Sequence, residues 1–432
     1  MKAKVKIVSA LALCVATLAH AQLRIEITSG VTDPIPIAVV PFARAVPADG
    51  GLDVADVVQR DLAGSGRFRA LPRTQMPEKP TRANEVVISN WRGGNNDYVV
   101  VGRVSALQDG QLAVDFDLVN VLNGQRMITQ RFTGTPSALR NAAHRVSDVV
   151  YEKILGVRGA FATRIAYVSV AGQPPAQRYK LIVADTDGEN PRVVLDSAQP
   201  IMSPAWSADG QWLSYVSFES KRSAVFVQRV RTGERRKVSA RAGINGAPSW
   251  SPDGRKLALT LGGSGGNLDL YVLDLATQEL ARVTDDPSID TEPVWSPDGG
   301  SLFFTSDRAG GPQIYRVGLR QGDRAKRITF SGSYNARPRI SPDGTLLAMV
   351  TLDQGNYRIA VQDVASGMVR VLSRGRLDES PSFAPNSAML IYSGQEQGRG
   401  VLATVAVDGL TGQRLNSDAG QVREPVWGPF AQ

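Results

Sequence analysis

Hydrophobic and polar positions repeat along the second part of the chain with a nearly constant period. Each repeat has a short apolar run ending in a large anchor, a turn resembling Ser-Pro-Asp-Gly, and a second apolar run. The repeats are SPAWSADGQWLSYVS from Ser203, APSWSPDGRKLALTL from Ala247, EPVWSPDGGSLFFTS from Glu292, RPRISPDGTLLAMVT from Arg337, SPSFAPNSAMLIYSG from Ser380 and a truncated EPVWGPF from Glu424. The anchors are Trp206, Trp250, Trp295, Ile340, Phe383 and Trp427, spaced by 44, 45, 45, 43 and 44 residues. This period is typical of WD40-like PD repeats, which form one four-stranded β-propeller blade each.

The third repeat shows the four predicted strands most clearly. An inner strand at Pro293–Trp295 is followed by a turn in which Pro297 fixes φ and Gly299 supplies a positive φ. The next three strands are predicted at 302–305, 313–318 and 326–329. Short strands between turns rich in Gly, Pro and Asp are typical of all-β folds.

The two ends of the repeat region predict how the ring closes. Residues 165–169, 179–185 and 192–195 match the second, third and fourth strands of a blade, but no inner strand precedes them. The missing strand is found at Pro425–Trp427. Five complete blades and this composite blade predict a six-bladed propeller over residues 161–432, which leaves no open sheet edge at the seam.

Residues 22–160 lack the repeat and predict an α/β domain. Strands are predicted at 35–42 and 98–102, and a helix at 52–62. Residues 111–119 and 126–132 form a predicted hairpin, with Asn123-Gly124 indicating a type I′ turn. Apolar residues at helical spacing predict a long helix over 137–155, between Pro136 and Gly156.

The first 21 residues have the pattern of a secretory signal peptide. Three lysines precede the apolar run 7–18, and Ala19-His20-Ala21 suits signal peptidase. We expect Gln22 to start an exported, periplasmic protein without a transmembrane segment. A lipoprotein is the alternative, because Cys14 follows an apolar run, but the bulky Leu13 before it disfavours lipid attachment.

The composition limits the metal-binding and catalytic groups that the mature chain can offer. Cleavage removes Cys14, the only cysteine, and leaves His144 as the only histidine. The net charge of +8 becomes +5 when the three signal lysines are lost, and the basic residues are scattered. We therefore expect no cofactor, no metal site of the His/Cys type and no nucleic-acid partner. The positive charge suits an acidic protein partner. We also expect the protein to be a monomer.

Catalytic motifs were tested against their structural context. Gly262-Gly263-Ser264-Gly265-Gly266 fits the G-x-S-x-G pattern, but a nucleophile elbow needs a following helix and a later histidine. A glycine-rich hairpin is the better interpretation. Asp185-Thr186-Asp187-Gly188 is interpreted as a turn because it lacks the later Glu of a calcium loop, and His144 as a helical residue without a special role. Four carboxylates show no spacing typical of a glycosidase pair, although the sequence alone leaves such a pair as an open alternative. They are Glu78, Glu85, Asp115 and Asp117.

Loops around the propeller channel remain as candidates for binding. The residues just before each inner strand are expected at one mouth of the channel, where they are small or polar. They are Ser203, Ile244-Asn245-Gly246-Ala247, Thr291-Glu292, Arg337, Glu379-Ser380 and Glu424. From the residues alone, a role in binding and a role only in the turns were about equally supported.

Particular motifs resemble one family along the whole mature chain. The start QLRIEITSGVTDPIPIAVVPF and the blade motifs NGAP, TEPVWSPDG and DESPSFAP resemble the TolB family of the Tol-Pal system. The resemblance implies the α/β domain, the six-bladed propeller and two protein partners. It also implies a non-catalytic periplasmic scaffold that maintains the outer membrane and supports its constriction during division.

The resemblance assigns a binding segment to each partner. The lipoprotein Pal would bind the propeller, and the candidate contacts are Ile244, Asn245, Ala247, Thr291, Glu292, Arg337 and Glu379. Ile244 departs from the family, which commonly has His there. TolA would bind the mature N-terminus, namely Gln22, Leu23, Arg24, Ile25, Glu26, Ile27, Thr28, Ser29, Gly30, Val31, Thr32 and Asp33. Colicins exploit related contacts, and other outer-membrane lipoproteins or porins are further candidate partners.

Two alternatives and one hypothesis accompany this interpretation. The propeller could instead bind peptidoglycan or another carbohydrate, or it could belong to a hydrolase. The hypothesis is a switch in which Pal binding and release of the N-terminal segment are coupled.

Overall fold

The computed structural model describes residues 33–44, 51–263, 266–415 and 420–431. The predicted signal peptide and the predicted TolA-binding segment lie outside these ranges, except for Asp33, which is exposed. Among the helices of the described ranges, none has the length and apolar character required to cross a membrane.

The first layer of the α/β domain is a mixed six-stranded sheet. Its strands are β1 (Ile35–Val39), β2 (Ala43–Arg44), β3 (Phe68–Ala70), β4 (Tyr98–Ala106), β5 (Leu112–Asn120) and β6 (Arg126–Gly134). The order is β3-β1-β4-β5-β6, with β2 also paired to β4. Strand β1 runs parallel to β3 and β4, whereas β4, β5 and β6 are antiparallel.

Helices cover both faces of this sheet because β1 is apolar on both sides. The helices are α1 (Val54–Gly64), α2 (Ile88–Arg92) and α3 (Leu139–Leu155), with 3-10 turns at Arg73–Gln75, Ala83–Glu85, Gln108–Gly110 and Pro136–Ala138. Ile37 and Val39 pack with α1 and α3 on one face. Ala38 and Val40 pack with Trp91 of α2 on the other face. Alternation along a strand produces these two faces.

The hairpin between β5 and β6 differs from the prediction. A type I′ turn requires positive φ at both central residues, but only Gly124 is left-handed, at φ 75°. The amide of Gly124 instead donates to the carbonyl of Asn120, and the Asn120 side chain accepts from Leu122 N and Asn123 N. The predicted two-residue turn is therefore wrong, because the Asn120 side chain organises a longer loop.

The propeller has six four-stranded blades. Blade 1 contains β10 (Ile201–Trp206), β11 (Trp212–Ser217), β12 (Ala224–Arg229) and β13 (Arg235–Ser239). Blade 2 contains β14 (Asn245–Trp250), β15 (Lys256–Gly262), β16 (Leu268–Asp274) and β17 (Leu280–Arg282). Blade 3 contains β18 (Asp290–Trp295), β19 (Ser301–Ser306), β20 (Gln313–Gly318) and β21 (Lys326–Arg327).

The remaining blades follow the same antiparallel order. Blade 4 contains β22 (Asn335–Ile340), β23 (Leu346–Asp353), β24 (Asn356–Asp363) and β25 (Val369–Val371). Blade 5 contains β26 (Glu379–Phe383), β27 (Met389–Glu396), β28 (Arg399–Ala406) and β29 (Gly412–Leu415). Blade 6 combines β30 (Gln421–Trp427) with β7 (Arg164–Ala171), β8 (Arg178–Asp185) and β9 (Arg192–Ser197). The predicted composite blade is confirmed.

The predicted anchors close each inner strand and link neighbouring blades. The indole Nε1 atoms of Trp206, Trp250 and Trp295 donate to the carbonyls of Val426, Ala205 and Ser249, at 3.3, 3.2 and 3.0 Å. Each acceptor belongs to the preceding blade. These three tryptophans therefore fill the space between sheets and also satisfy a backbone carbonyl there.

The Ser-Pro-Asp-Gly segments form the turns between the first and second strands of the blades, as predicted. The Ser hydroxyl lies 2.5–2.6 Å from the Asp carboxylate two residues later in blades 1 to 4. Blade 5 has Ala384-Pro385-Asn386 instead. There the Asn386 amide donates to the carbonyl of Arg158 at 3.1 Å, so this turn holds the segment between α3 and β7.

The α/β domain lies on one face of the propeller. We call this the turn face, because it carries the turns after the inner and third strands. Arg67 pairs with Asp408 at 3.0 Å, and Arg140 of α3 pairs with Asp187. The opposite face carries the segments before the inner strands, and we call it the mouth face. The α/β domain therefore leaves the channel opening of the mouth face accessible.

Candidate functional site

Six equivalent β-bulges build the channel wall below the mouth face. In every inner strand the register shifts at a residue followed by proline. The residue before the proline is left-handed in all six blades, with φ between 45° and 56°: Ser203, Ala247, Glu292, Arg337, Ser380 and Glu424. Left-handed residues other than glycine cost roughly 1–3 kcal/mol each and often occur at functional sites.

Side chains of the preceding blade accept hydrogen bonds from three of these left-handed amides. The amide of Arg337 donates to Oε2 of Glu292 at 3.0 Å, and that of Glu292 donates to Oγ1 of Thr260 at 3.2 Å. The amide of Ser203 donates to the carboxylate of Glu424 across the ring closure. The bulges are therefore coupled between blades, and the channel wall is formed before any partner binds.

An ion-pair network occupies one side of the channel. Nε of Arg337 lies 3.3 Å from Oε1 of Glu292, and its Nη1 donates to Oγ of Ser380 at 2.5 Å. Burial alone would lower the pKa of Arg337, but Glu292, Glu424 and Glu379 raise it above its usual value. Two predicted contact residues, Glu292 and Arg337, thus form an ion pair with each other, and their side chains remain 26 % and 32 % exposed.

Apolar side chains recur on the mouth face in four consecutive blades of the six. We call this set the apolar rim. Its members lie six positions before the anchors of blades 2 to 5: Ile244, Ile289, Tyr334 and Leu377. Ile244 is 51 % exposed, Ile289 is 45 % exposed and Leu377 is 36 % exposed. Exposed aliphatic residues that recur around a ring are typical of a protein-binding surface.

A buried polar residue follows each rim residue and fixes its loop. They are Asn245, Asp290, Asn335 and Asp378. Oδ1 of Asn245 accepts from Ser239 Oγ at 2.6 Å and from Arg241 N at 2.9 Å, and its Nδ2 donates to the carbonyl of Arg241. Both carboxylate oxygens of Asp290 accept from Arg308 at 2.7 Å. The rim is therefore preorganised by internal hydrogen bonds.

The predicted contact residues fall into three positions in the structure. Ile244 projects from the rim, whereas Ala247 and Thr291 line the channel mouth. Asn245 has no exposed surface, so its side chain positions the loop instead of facing a partner. Glu379 is partly exposed and has no side-chain partner among the described residues.

Sequence analysis missed three members of the apolar rim. Ile289, Tyr334 and Leu377 were absent from the predicted contacts, although each precedes an Asn or Asp at the same distance from its anchor. Alignment of the repeats at that position would have revealed the shared apolar-polar pair. Phe330, in the loop before blade 4, is 75 % exposed and was missed because it has no counterpart in other repeats.

His144 is not the inert helical residue that we expected. It is 1 % exposed, and its Nδ1 lies 2.8 Å from Oδ2 of Asp61. Ser147 donates to the same oxygen at 2.6 Å. Burial alone would lower the pKa of His144, but the nearby Asp61, Asp187 and Asp185 carboxylates raise it above its usual value. Sequence spacing missed this because Asp61 and His144 are far apart along the chain.

The same cluster contains ligand types that could hold a metal ion. His144, Asp185 and Asp187 place one potential ligand atom each within 4.8 Å of one another. However, the Arg140 guanidinium binds Asp187 and approaches Asp185 to 4.0 Å. A cation of the protein already neutralises these carboxylates, so we interpret the cluster as an ion-pair network between the two domains.

The catalytic alternatives find little support in the described residues. The glycine run connects β15 to β16 of one antiparallel hairpin, without the helix of a nucleophile elbow, and Ser264 lies outside the described residues. The four acidic residues left open have structural partners. Glu78 accepts from Trp91, Glu85 from Thr81, Asp115 from Arg131 and Asp117 from Thr129.

Comparisons with known proteins agree with this architecture. The family model described as the TolB amino-terminal domain matches residues 23–127, and the TolB beta propeller domain matches residues 151–431. The Tol-Pal system protein TolB of Methylococcus capsulatus is 52 % identical over 422 residues, covering 98 % of both chains. The corresponding protein of Xanthomonas euvesicatoria is 48 % identical over 431 residues, covering 98 % of this chain and 97 % of the relative.

A solved structure gives the same result in three dimensions. The crystal structure of TolB from Acinetobacter baumannii superimposes with a TM-score of 0.85 at 41 % identity, covering 92 % of this chain and 97 % of that chain. The two family models and this structure thus match the chain over nearly its whole length. The chain belongs to the TolB family of the Tol-Pal system.

Proposed function

We propose that this protein is a non-catalytic periplasmic scaffold that binds the Pal lipoprotein through the apolar rim and channel mouth. In this role it helps to maintain the outer membrane and to constrict it during division. The observation that carries the proposal is the apolar rim, in which exposed aliphatic residues of three blades lie beside a rigid polar opening. Such an arrangement matches protein interfaces, where an apolar centre adjoins polar groups.

A protein partner suits this surface better than a carbohydrate. Ile244, Ile289 and Leu377 offer branched aliphatic side chains on separate blades, spread around the mouth. A saccharide would need convergent hydrogen-bonding groups on the surface. The side chains of Asn245 and Asp290 already form hydrogen bonds within the protein. Binding to purified murein without Pal would favour the carbohydrate alternative.

The mature N-terminus is the proposed site for TolA. Leu23, Ile25 and Ile27 alternate with Arg24, Glu26 and Thr28, so an extended segment would have one apolar face. Such a segment can add a strand to the sheet edge of a partner. Deletion of residues 22–33 should abolish binding to TolA and leave Pal binding intact. Retention of TolA binding by the deleted protein would refute the assignment.

The Pal proposal is tested by charge insertion into the rim. Ile289→Asp places a carboxylate in the centre of the surface and should weaken Pal binding at least tenfold in calorimetry. Thr291→Trp, which fills the mouth, should have a similar effect. Val193→Asp is the matched control, because Val193 is 48 % exposed on β9, away from the mouth face. Equal Pal affinity for all three variants and the native protein would exclude the mouth face as the Pal site.

The absence of catalysis is part of the same proposal. A serine-hydrolase probe should not label the protein, including at Ser264. Labelling that disappears in Ser264→Ala would instead support the hydrolase alternative.

A further inference from the structure

Inside the propeller channel, the Arg339 guanidinium has no counter-ion among the described residues. Arg339 occupies the inner strand of blade 4, two residues after Arg337, and lines a channel opening of about 370 Å³. It is enclosed by the ring but keeps part of its surface on the open channel. Its Nη1 donates to the carbonyl of Pro338 at 2.8 Å. In the described chain, this is its only hydrogen bond, and Arg339 forms no ion pair.

The equivalent positions of the other blades carry no charge. Arg339 directly precedes its anchor, and the corresponding channel residues are Ala205, Ser249, Val294, Ser382 and Val426. Because the blades repeat, these side chains lie at the same depth as Arg339. The guanidinium is therefore the single charge at this level of the described channel.

The nearest carboxylates belong to the bulges, closer to the mouth face than Arg339, and already have other partners. Glu292 binds Arg337 and accepts from Thr305 Oγ1 at 3.0 Å. Glu424 accepts from the amide of Ser203. Burial lowers the pKa of Arg339 below its usual value, although Glu292 and Glu424 oppose this. Enclosed charges are normally paired, so an uncompensated guanidinium facing open space is unusual.

We propose that Arg339 forms an anion-binding site in the channel that takes a carboxylate group. A guanidinium matches a carboxylate because two parallel N–H donors can bind its two oxygens. Ser382 supports the site from the neighbouring blade: its Oγ accepts from Trp427 N at 2.9 Å, which leaves the hydroxyl hydrogen free to donate into the channel.

The carboxylate can come from two sources, either a small free acid or an acidic side chain of a protein docked on the mouth face. Only the second source rests on the proposed Pal function. The site itself is defined by Arg339 and is testable without a partner.

The first experiment uses sodium acetate as the probe, at constant ionic strength balanced with sodium chloride. Trp206 and Trp250 line the same opening, so intrinsic fluorescence should report saturable binding. Arg339→Met should weaken acetate binding at least tenfold, and Arg339→Lys should restore part of it. The matched control, Arg236→Met, removes an exposed arginine of an outer strand and should bind acetate as the native protein does.

Thermal unfolding provides an independent measurement. Acetate should raise the Tm of the native protein and of Arg236→Met through mass action, but not that of Arg339→Met. Without acetate, Arg339→Met should melt no lower than the native protein, because it removes an unpaired charge. A large loss of Tm in that variant, with no acetate effect on the native Tm, would make Arg339 structural and overturn the proposal.

Pal distinguishes the two sources. If an acidic side chain of Pal occupies the site, acetate should weaken Pal binding to the native protein and Arg339→Met should reduce Pal affinity. If a free acid occupies it, acetate should bind without changing Pal affinity. The proposal fails if acetate binding is unchanged in Arg339→Met, or if acetate does not bind and Pal affinity is independent of Arg339.

Discussion

Nε2 of His144 in the α/β domain lies 3.7 Å from Oδ2 of Asp187 in the propeller. The two residues belong to α3 and to the turn between β8 and β9, so this approach spans the two domains. Nδ1 of the same ring contacts Asp61 of α1 at 2.8 Å. The imidazole therefore lies between two carboxylates, and in its protonated form its charge contributes to the docking of the domains.

The first prediction concerns pH. Because the pKa of His144 is raised in the folded protein, its stabilising contribution is complete below its unfolded value of about 6.5. That contribution should disappear as the pH rises through the folded pKa. Urea unfolding of the native protein should give a decreasing free energy of unfolding from pH 6.5 to 8.5, whereas His144→Gln should give a flatter profile.

The pH interval of this measurement lies above the pKa of a second buried group, Asp148. Burial raises the pKa of Asp148 to about 6, although its carboxylate accepts from the amides of Phe161 and Ala162. Asp148 contributes to the profile mainly below the chosen interval, and Asp148→Asn is the control for this. Identical slopes for the native protein and His144→Gln would show that His144 does not link domain docking to pH.

The second prediction compares two arginine–aspartate pairs. Arg140 is 12 % exposed and binds Asp187 across the domains, whereas Arg178 is 49 % exposed and binds Asp196 within blade 6. Arg140→Met should destabilise the protein by about 2–4 kcal/mol, because it removes the arginine cation from two partly buried carboxylates, Asp185 and Asp187. Arg178→Met should cost about 0–1 kcal/mol. Chemical denaturation of both variants measures the difference, and equal losses would contradict an interdomain role for Arg140.

The third prediction separates positioning from contact at the apolar rim. Asn245→Ala removes the bonds that fix its loop and should destabilise the protein by about 1–3 kcal/mol, with weaker Pal binding. Ile244→Ala should weaken Pal binding without a comparable loss of stability, because its side chain is half exposed. Calorimetry with Pal and urea unfolding of each variant give the two readouts. Weakened binding by Asn245→Ala at unchanged stability would indicate that Asn245 contacts Pal directly.

The fourth prediction concerns the closure of the ring. Nε1 of Trp427 donates to Oγ1 of Thr163 at 2.8 Å and joins the last strand to the residue before β7. Trp427→Phe and Thr163→Val should each cost about 1 kcal/mol, and the double variant should cost clearly less than their sum. Urea unfolding of the three variants completes the cycle. Strict additivity would mean that this bond does not stabilise the closure.

Local sequence patterns determined most of the propeller. The anchors and the Ser-Pro-Asp-Gly turns are short-range features, and the turn residues form hydrogen bonds within two to five positions. The composite blade was also predictable, because Trp427 repeats the anchor period and residues 165–169 repeat the second strand. The amphipathic spacing of α3 and the glycine after it similarly required no distant contact.

The sequence predicted which positions belong to the strands and turns of each repeat, but it did not predict whether a side chain there is buried or exposed. Asn245 and Ile244 are neighbours in the loop sequence, and only the fold buries one and exposes the other. The left-handed φ of residues such as Arg337 was equally hidden, because the residue before a proline ordinarily adopts an extended conformation.

The sequence by itself determined the six blades, the α/β domain before them and the family, because repeated turns and strand periods are local. Only the tertiary structure placed His144 between Asp61 and Asp187, assembled the apolar rim and left Arg339 without a counter-ion in the described part of the chain. The physical reason is that charge pairing and burial depend on groups brought together from distant parts of the chain.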